Sequence, residues 1–250
     1  MGWLACCSDA SAHPEDEFCV PGQDGLDPAL CEALSTLDDP GASPEEVRPI
    51  LDARGKPRGT LSTAALYIGI GVGHILPGGL DHILFILALF LSSRRVRHLV
   101  LQISAFTVAH TATLALAAAG LIAPPATLVE PLIAATIAFV AIENLFLESM
   151  PGWRPLLVFV FGLVHGLGFA GFFGELGLPE GQFWSALIGF NIGVEIGQVA
   201  VVIAAAVLVL CARRYVTAIR PQDAYRRFVV LPASFAIAVT GIAWIVQRMA

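Results

Sequence analysis

Six apolar stretches follow one another after residue 60, each about long enough to cross a bilayer. They run over about 61–92, 99–119, 128–148, 155–175, 184–212 and 228–247. The pattern predicts an all-α, polytopic membrane bundle of about six transmembrane helices. The first stretch contains Pro77-Gly78-Gly79, so its helix is expected to be long and broken or kinked there. Cutting it in two would give seven helices, with pieces of about 16 and 13 residues that fall short of a full crossing. In the fifth stretch Gly189, Gly193 and Gly197 form a small-residue ridge, with Asn191, Glu195 and Gln198 as a polar stripe beside it. Such a ridge suits close helix packing and is a candidate contact for a homo-oligomer.

Composition agrees with the pattern. The apolar fraction is 56 % and the charged fraction 14 %, well below the quarter usual in soluble domains. The lipid bilayer is therefore the expected partner, and the net charge of −6 gives no reason to expect nucleic acid. The charge is uneven. Twelve of the twenty acidic residues lie in the first 52 positions, where Arg48 is the only base. The chain divides into a segment 1–12, an acidic head over 13–59 and a transmembrane domain over 60–250. Connectors after the first, third and fifth stretches carry Arg94, Arg95, Arg97, Arg154, Arg213, Arg214, Arg220, Arg226 and Arg227. The others carry none, which places both termini outside and the protein in a bacterial-type inner (plasma) membrane. Arg54, Lys56 and Arg58 run against this assignment.

Residues 1–12 read as the remnant of an export signal. Trp3–Cys7 is too short for a signal core, yet Ala10-Ser11-Ala12 has the form of a cleavage site, which would leave His13 first. The head is expected to be helical. Asp27-Pro28 starts one amphipathic stripe, and Ser43-Pro44-Glu45-Glu46 has the form of a capping box. Cys19 and Cys31 suit a disulfide on an oxidising face.

Four histidines and four carboxylates sit inside the apolar stretches: His74, Asp81, His82, His110, Glu130, Glu143, His165 and Glu195. Every arginine after residue 60 falls in a gap between stretches or at the chain end. An ionisable group at the bilayer centre costs about 2.5–3.5 kcal/mol on insertion scales. With no base beside these groups, the expected counter-charge is a bound cation. His74, Asp81 and His82 flank the Pro-Gly-Gly break, and the first two lie within about 20° on an ideal helix. Broken helices often mark ion sites in transporters. Thr107 and Thr111 surround the mid-stretch His110. Glu130 could cap a helix start, whereas Glu143-Asn144 is deeper and has no such local explanation. His165 lies among glycines. The candidate ligands are thus His74, Asp81, His82, His110, His165 and Glu195. Thr107, Thr111, Glu130, Glu143, Asn144, Asn191 and Gln198 form a secondary polar path. Imidazole suits nickel, zinc, copper and iron, and the lack of Cys or Met at these positions argues against Cu(I).

The motifs G-x-x-H-I-L-x-G-x-x-D-H-I-L-F at 71–85, F-T-x-A-H-T at 106–111 and V-E-P-x-I-A at 129–134 resemble the HupE/UreJ family of membrane proteins. So do E-N at 143–144, F-G-L-x-H-G-x-G-F-A at 161–170 and F-N-x-G-V-E-x-G-Q at 190–198. The resemblance implies nickel or cobalt uptake, with His74, Asp81 and His82 binding the metal in transit. The six residues between His74 and Asp81 and the acidic, cysteine-bearing head mark a divergent branch. The expected function is a permease for a divalent transition-metal cation, nickel or cobalt, moving inward. Two alternatives remain open on the residues. One is an intramembrane zinc-dependent hydrolase with a Glu as base. The other is a non-transporting assembly subunit whose polar core only holds helices together.

Overall fold

The computed structural model describes residues 59–93, 95–147, 151–168, 181–216 and 225–250, with side chains of 212–216 excepted. The export-signal remnant, the head helices and the Cys19–Cys31 pairing lie outside the described residues.

Each predicted stretch is a helix, the first as two. They are α1 (Thr60–Ile75), α2 (Leu80–Ser92), α3 (Val96–Ala118), α4 (Ala126–Phe146), α5 (Arg154–Gly168), α6 (Phe183–Val216) and α7 (Leu231–Met249). A π turn over Arg226–Val230 leads into α7. No strand occurs among the described residues. Four helices are long and apolar enough to cross a membrane, and the α1–α2 pair counts as a fifth span if its two arms are taken together. The chain is a multi-pass membrane protein. Of α5, the described part is 15 residues or about 22 Å.

The break falls where the sequence places it. α1 stops at Ile75, α2 restarts at Leu80, and the two arms are bent by 69°. Proline at 77 cannot donate the hydrogen bond a continuous helix needs. Gly79 is required sterically, because a Cβ there would overlap the His74 carbonyl oxygen. The bend turns α2 into the middle of the bundle, where it touches α1, α3, α4, α6 and α7.

Three helix pairs carry most of the packing: α1 with α6, α3 with α5, and α4 with α7. Small residues make the first two possible. Gly189, Gly193 and Gly197 of α6 lie directly on Ala64, Ile68 and Ile75 of α1. The ridge expected to be open for a homomeric contact is therefore filled by the chain's own first helix. Gly162 and Gly166 of α5 lie against the carbonyls of Phe106 and His110 on α3 in the same way. Backbone contact this close gains dispersion energy, the main term available when lipid competes for apolar surface.

The bundle is apolar outside, and its largely apolar interior holds a set of buried polar groups. Val108, Leu132, Leu156, Ile188, Ile192 and Ile242 face outward, whereas His82, His110, Glu143, Asn144, Arg154 and His165 are buried. α4 and α7 run antiparallel. Arg226 donates to the carbonyls of Leu145 and Leu147 at one end, and Arg248 donates to that of Glu130 near the other.

Substituting Gly193→Ala should destabilise the bundle by about 1–3 kcal/mol, because the new methyl meets the Ile68 carbonyl. Gly69→Ala, with nothing within 4 Å, is the neutral control. Thermal unfolding of both variants in detergent checks this, and equal melting temperatures would contradict the packing described.

Candidate metal site

The bend at Gly79 brings the end of α1 and the start of α2 onto α3. His74, His82 and His110 each offer a ring nitrogen, and these atoms lie within 4.8 Å of one another. The ring centroids are 4.7 Å apart for His74–His82, 5.6 Å for His82–His110 and 6.3 Å for His74–His110. A tetrahedral ion with metal–nitrogen bonds of 2.0–2.1 Å needs its nitrogens about 3.3 Å apart. The triad is thus somewhat open and would close on an ion by small side-chain rotations. Its walls are aromatic. Phe106 stacks on His110 at 5.9 Å, and Phe190 lies 5.5 Å from His74.

The imidazoles of His82 and His110 are committed to little else. His82 Nε2 and both ring nitrogens of His110 have no hydrogen-bond partner among the described residues, although both side chains are buried. Burying such groups unpaired is costly, so they are poised for a ligand.

His165 stands beside the triad, its ring 5.1 Å from that of His82 and 5.0 Å from those of Phe85 and Phe106. Its Nε2 is 2.8 Å from the Thr136 hydroxyl, which donates its single proton to the Ile133 carbonyl at 2.7 Å. The hydroxyl must therefore accept, so the proton sits on His165 Nε2 and Nδ1 keeps its lone pair. Nδ1 has no partner among the described residues. Thr136 acts as an orienting partner of the kind that fixes ligand tautomers. It escaped the sequence reading because a lone threonine in an apolar helix usually bonds its own backbone.

The carboxylates behave differently from expectation. The sequence suggested that no base accompanies them, and the structure corrects this twice. Arg248, near the end of α7, places Nη2 at 3.1 and 3.0 Å from the two oxygens of Asp81. Arg154, at the start of α5, is turned into the bundle, with Nε 3.2 Å from Glu143 Oε2. Its Nη2 donates to Asn144 Oδ1 at 3.1 Å, and Asn144 Nδ2 donates to the Ala88 carbonyl at 2.8 Å. Arginine side chains are long enough to reach inward from helix ends, a reach that connector counting ignores. Asp81 therefore stands next to the triad in sequence but outside it in space. Glu195 is half-buried on α6 and joins no ligand group among the described residues. Glu130 lies one turn inside α4, which starts at Ala126, so it does not cap that helix.

The secondary path is partly assembled. Between α3 and α6, the Thr107 hydroxyl donates to Gln198 Oε1 at 3.1 Å. The Thr111 hydroxyl meets the side-chain carbonyl of Asn191 and lies 2.7 Å from the Thr107 carbonyl. Glu143 and Asn144 belong to the separate Arg154 cluster.

A family model described as HupE / UreJ protein matches residues 53–248 of the chain. No curated protein and no solved structure matches it.

Arg154 and Glu143 are both buried, with side chains 2 % and 7 % exposed. Arg154→Leu should cost about 3–5 kcal/mol by leaving Glu143 and Asn144 without their partner. Adding Glu143→Leu should recover most of that loss. Melting temperatures of the single and double variants test this, and a double variant no better than the single one would rule out a charge-pairing role.

Proposed function

The chain belongs to the HupE/UreJ family of membrane proteins, and on that premise we propose that it is a permease for a divalent transition-metal cation, nickel or cobalt. The observation that carries the reading is the His74–His82–His110 group, three imidazoles from three helices converging inside a membrane bundle. Neutral imidazoles bind borderline divalent ions and offer little to sodium or magnesium. The ion would be held by the triad and passed to His165, which Thr136 keeps in the tautomer with a free Nδ1. A rigid site of this kind binds an ion without trapping it only if ligands can be exchanged one at a time. Neighbouring imidazoles at about 5 Å supply that exchange.

Uptake is the favoured direction. The arginine-bearing connectors belong in the cytoplasm, which puts the protein in an inner (plasma) membrane with both termini outside. An interior-negative potential then favours a divalent ion by about 4.6 kcal/mol per 100 mV, twice the value for one charge. The acidic head would concentrate cations at the outer face.

A zinc hydrolase needs a base beside the metal-bound water. Asp81 and Glu143 are each engaged by an arginine, and Glu195 joins no ligand group among the described residues. This supports transport over hydrolysis. A purely structural role for the polar core is hard to reconcile with buried imidazole nitrogens that bond nothing among the described residues.

Vesicles reconstituted with the protein and loaded with a metal-sensitive dye should take up nickel or cobalt. His110→Ala should lower that flux at least about tenfold, as loss of a metal ligand or its support typically does. Uptake should also fall in acid, because protons compete for the ligand nitrogens. Flux of neither metal, or flux indifferent to His110→Ala, would refute the permease reading.

A further inference from the structure

Asp81 is the carboxylate adjacent in sequence to the triad member His82, yet it pairs with Arg248 and is no part of the imidazole group. That arginine is restrained three ways: by both Asp81 oxygens, by the Glu130 carbonyl at 3.1 Å from Nη1, and by the Trp244 ring, with its guanidinium carbon 5.1 Å from the centroid. We propose that Arg248 is a tethered competitor for the transported ion, holding Asp81 away from the triad so that binding requires its displacement. The proposal deepens the permease reading and rests on it.

The argument is electrostatic. Three neutral imidazoles leave a divalent ion with its full charge in a site of low polarity, where an uncompensated charge is expensive. Asp81 is the carboxylate adjacent in sequence to a triad ligand, and while Arg248 is paired with it, the pair is neutral and contributes little. Releasing Arg248 frees one negative charge on the residue that precedes a triad ligand. The geometry suits release. Arg248 lies in the last turn of α7, and the two side chains are 21 % and 22 % exposed, unlike the sealed Arg154–Glu143 pair. Helix α4 shows the arrangement along the bundle. Glu130, whose carbonyl Arg248 holds, is six residues before the His165 partner Thr136, and Glu143 is seven residues after it. Along α4 the His165 partner therefore lies about 9 Å from the first of these contacts and about 10 Å from the second. The exposed pair is the one that can open.

Cobalt affinity of the purified full-length protein in detergent, by equilibrium dialysis, tests this. Arg248→Gln should bind cobalt about tenfold more tightly than wild type, in the usual range of coupling between sites. Arg248→Lys, which keeps the charge, should stay near wild type. The gain should vanish in Arg248→Gln/Asp81→Asn, because the released carboxylate is then absent. A purely structural ion pair predicts equal or weaker binding in Arg248→Gln, and that result would overturn the proposal. A second measurement needs no change at Arg248. Zinc, which does not quench fluorescence, should alter the emission of wild type but not of Trp244→Phe as the guanidinium leaves the indole. Bound zinc with no Trp244-dependent change would also overturn it. If cobalt binds and His110→Ala abolishes it while Arg248→Gln changes nothing, the competitor role fails and the permease reading stands. If wild type and His110→Ala bind no metal at all, both fall.

Discussion

An ionised carboxylate among lipid-embedded helices has to be neutralised by something, and the way this bundle does so organises everything else in it. Two of its acids are matched by arginines that reach in from helix ends, Arg248 to Asp81 and Arg154 to Glu143. The pairs differ in kind. The Glu143 pair is sealed from its surroundings and extended by Asn144 to the backbone of α2, so it ties α4, α5 and α2 together. The Asp81 pair is partly open and stands in the final turn of α7.

Between the two levels lies a layer with no formal charge. Neutral imidazoles can be buried without a counter-ion, at the lower cost of unmet hydrogen bonds. The aromatic rings of Phe85, Phe106 and Phe190 fill the space around them and exclude competing polar partners. Two of the acids are thus segregated with arginines, and the imidazoles stand apart from them, as a site on the proposed reading would need in order to favour ions that imidazole can bind. Had the carboxylates faced the same chamber, the site would have carried permanent negative charge and accepted harder cations as well.

The scaffold that holds this layer depends on backbone proximity. Glycines on α6 seat α1, and glycines on α5 seat α3, so that His74 and His165 are carried to their neighbours by helix contact. The half-helix α2, set at 69° to α1, is the common neighbour of the rest. Moving any one pair by the width of a methyl group would separate imidazoles whose ring centroids are now about 5 Å apart.

Much of this was legible without coordinates. Apolar runs and the Pro77-Gly78-Gly79 interruption specify the helices and the break, because hydropathy and backbone restriction act locally. Residue chemistry marked His74, His82, His110 and His165 as inward-facing for the same reason: a polar group in an apolar helix has nowhere else to go. The choice of partners was not legible. Arg248 meets Asp81 across 167 residues, and Thr136 orients His165 from a different helix. Those meetings depend on the rotation of each helix, on the reach of a long side chain and on which carbonyl a glycine rests against. Spacing along a chain records none of these, so the sequence alone determined that these histidines lie within apolar helices, and only the packed bundle decided which arginines turn inward, which acids they neutralise and which ring nitrogens of His82 and His110 bond nothing among the described residues.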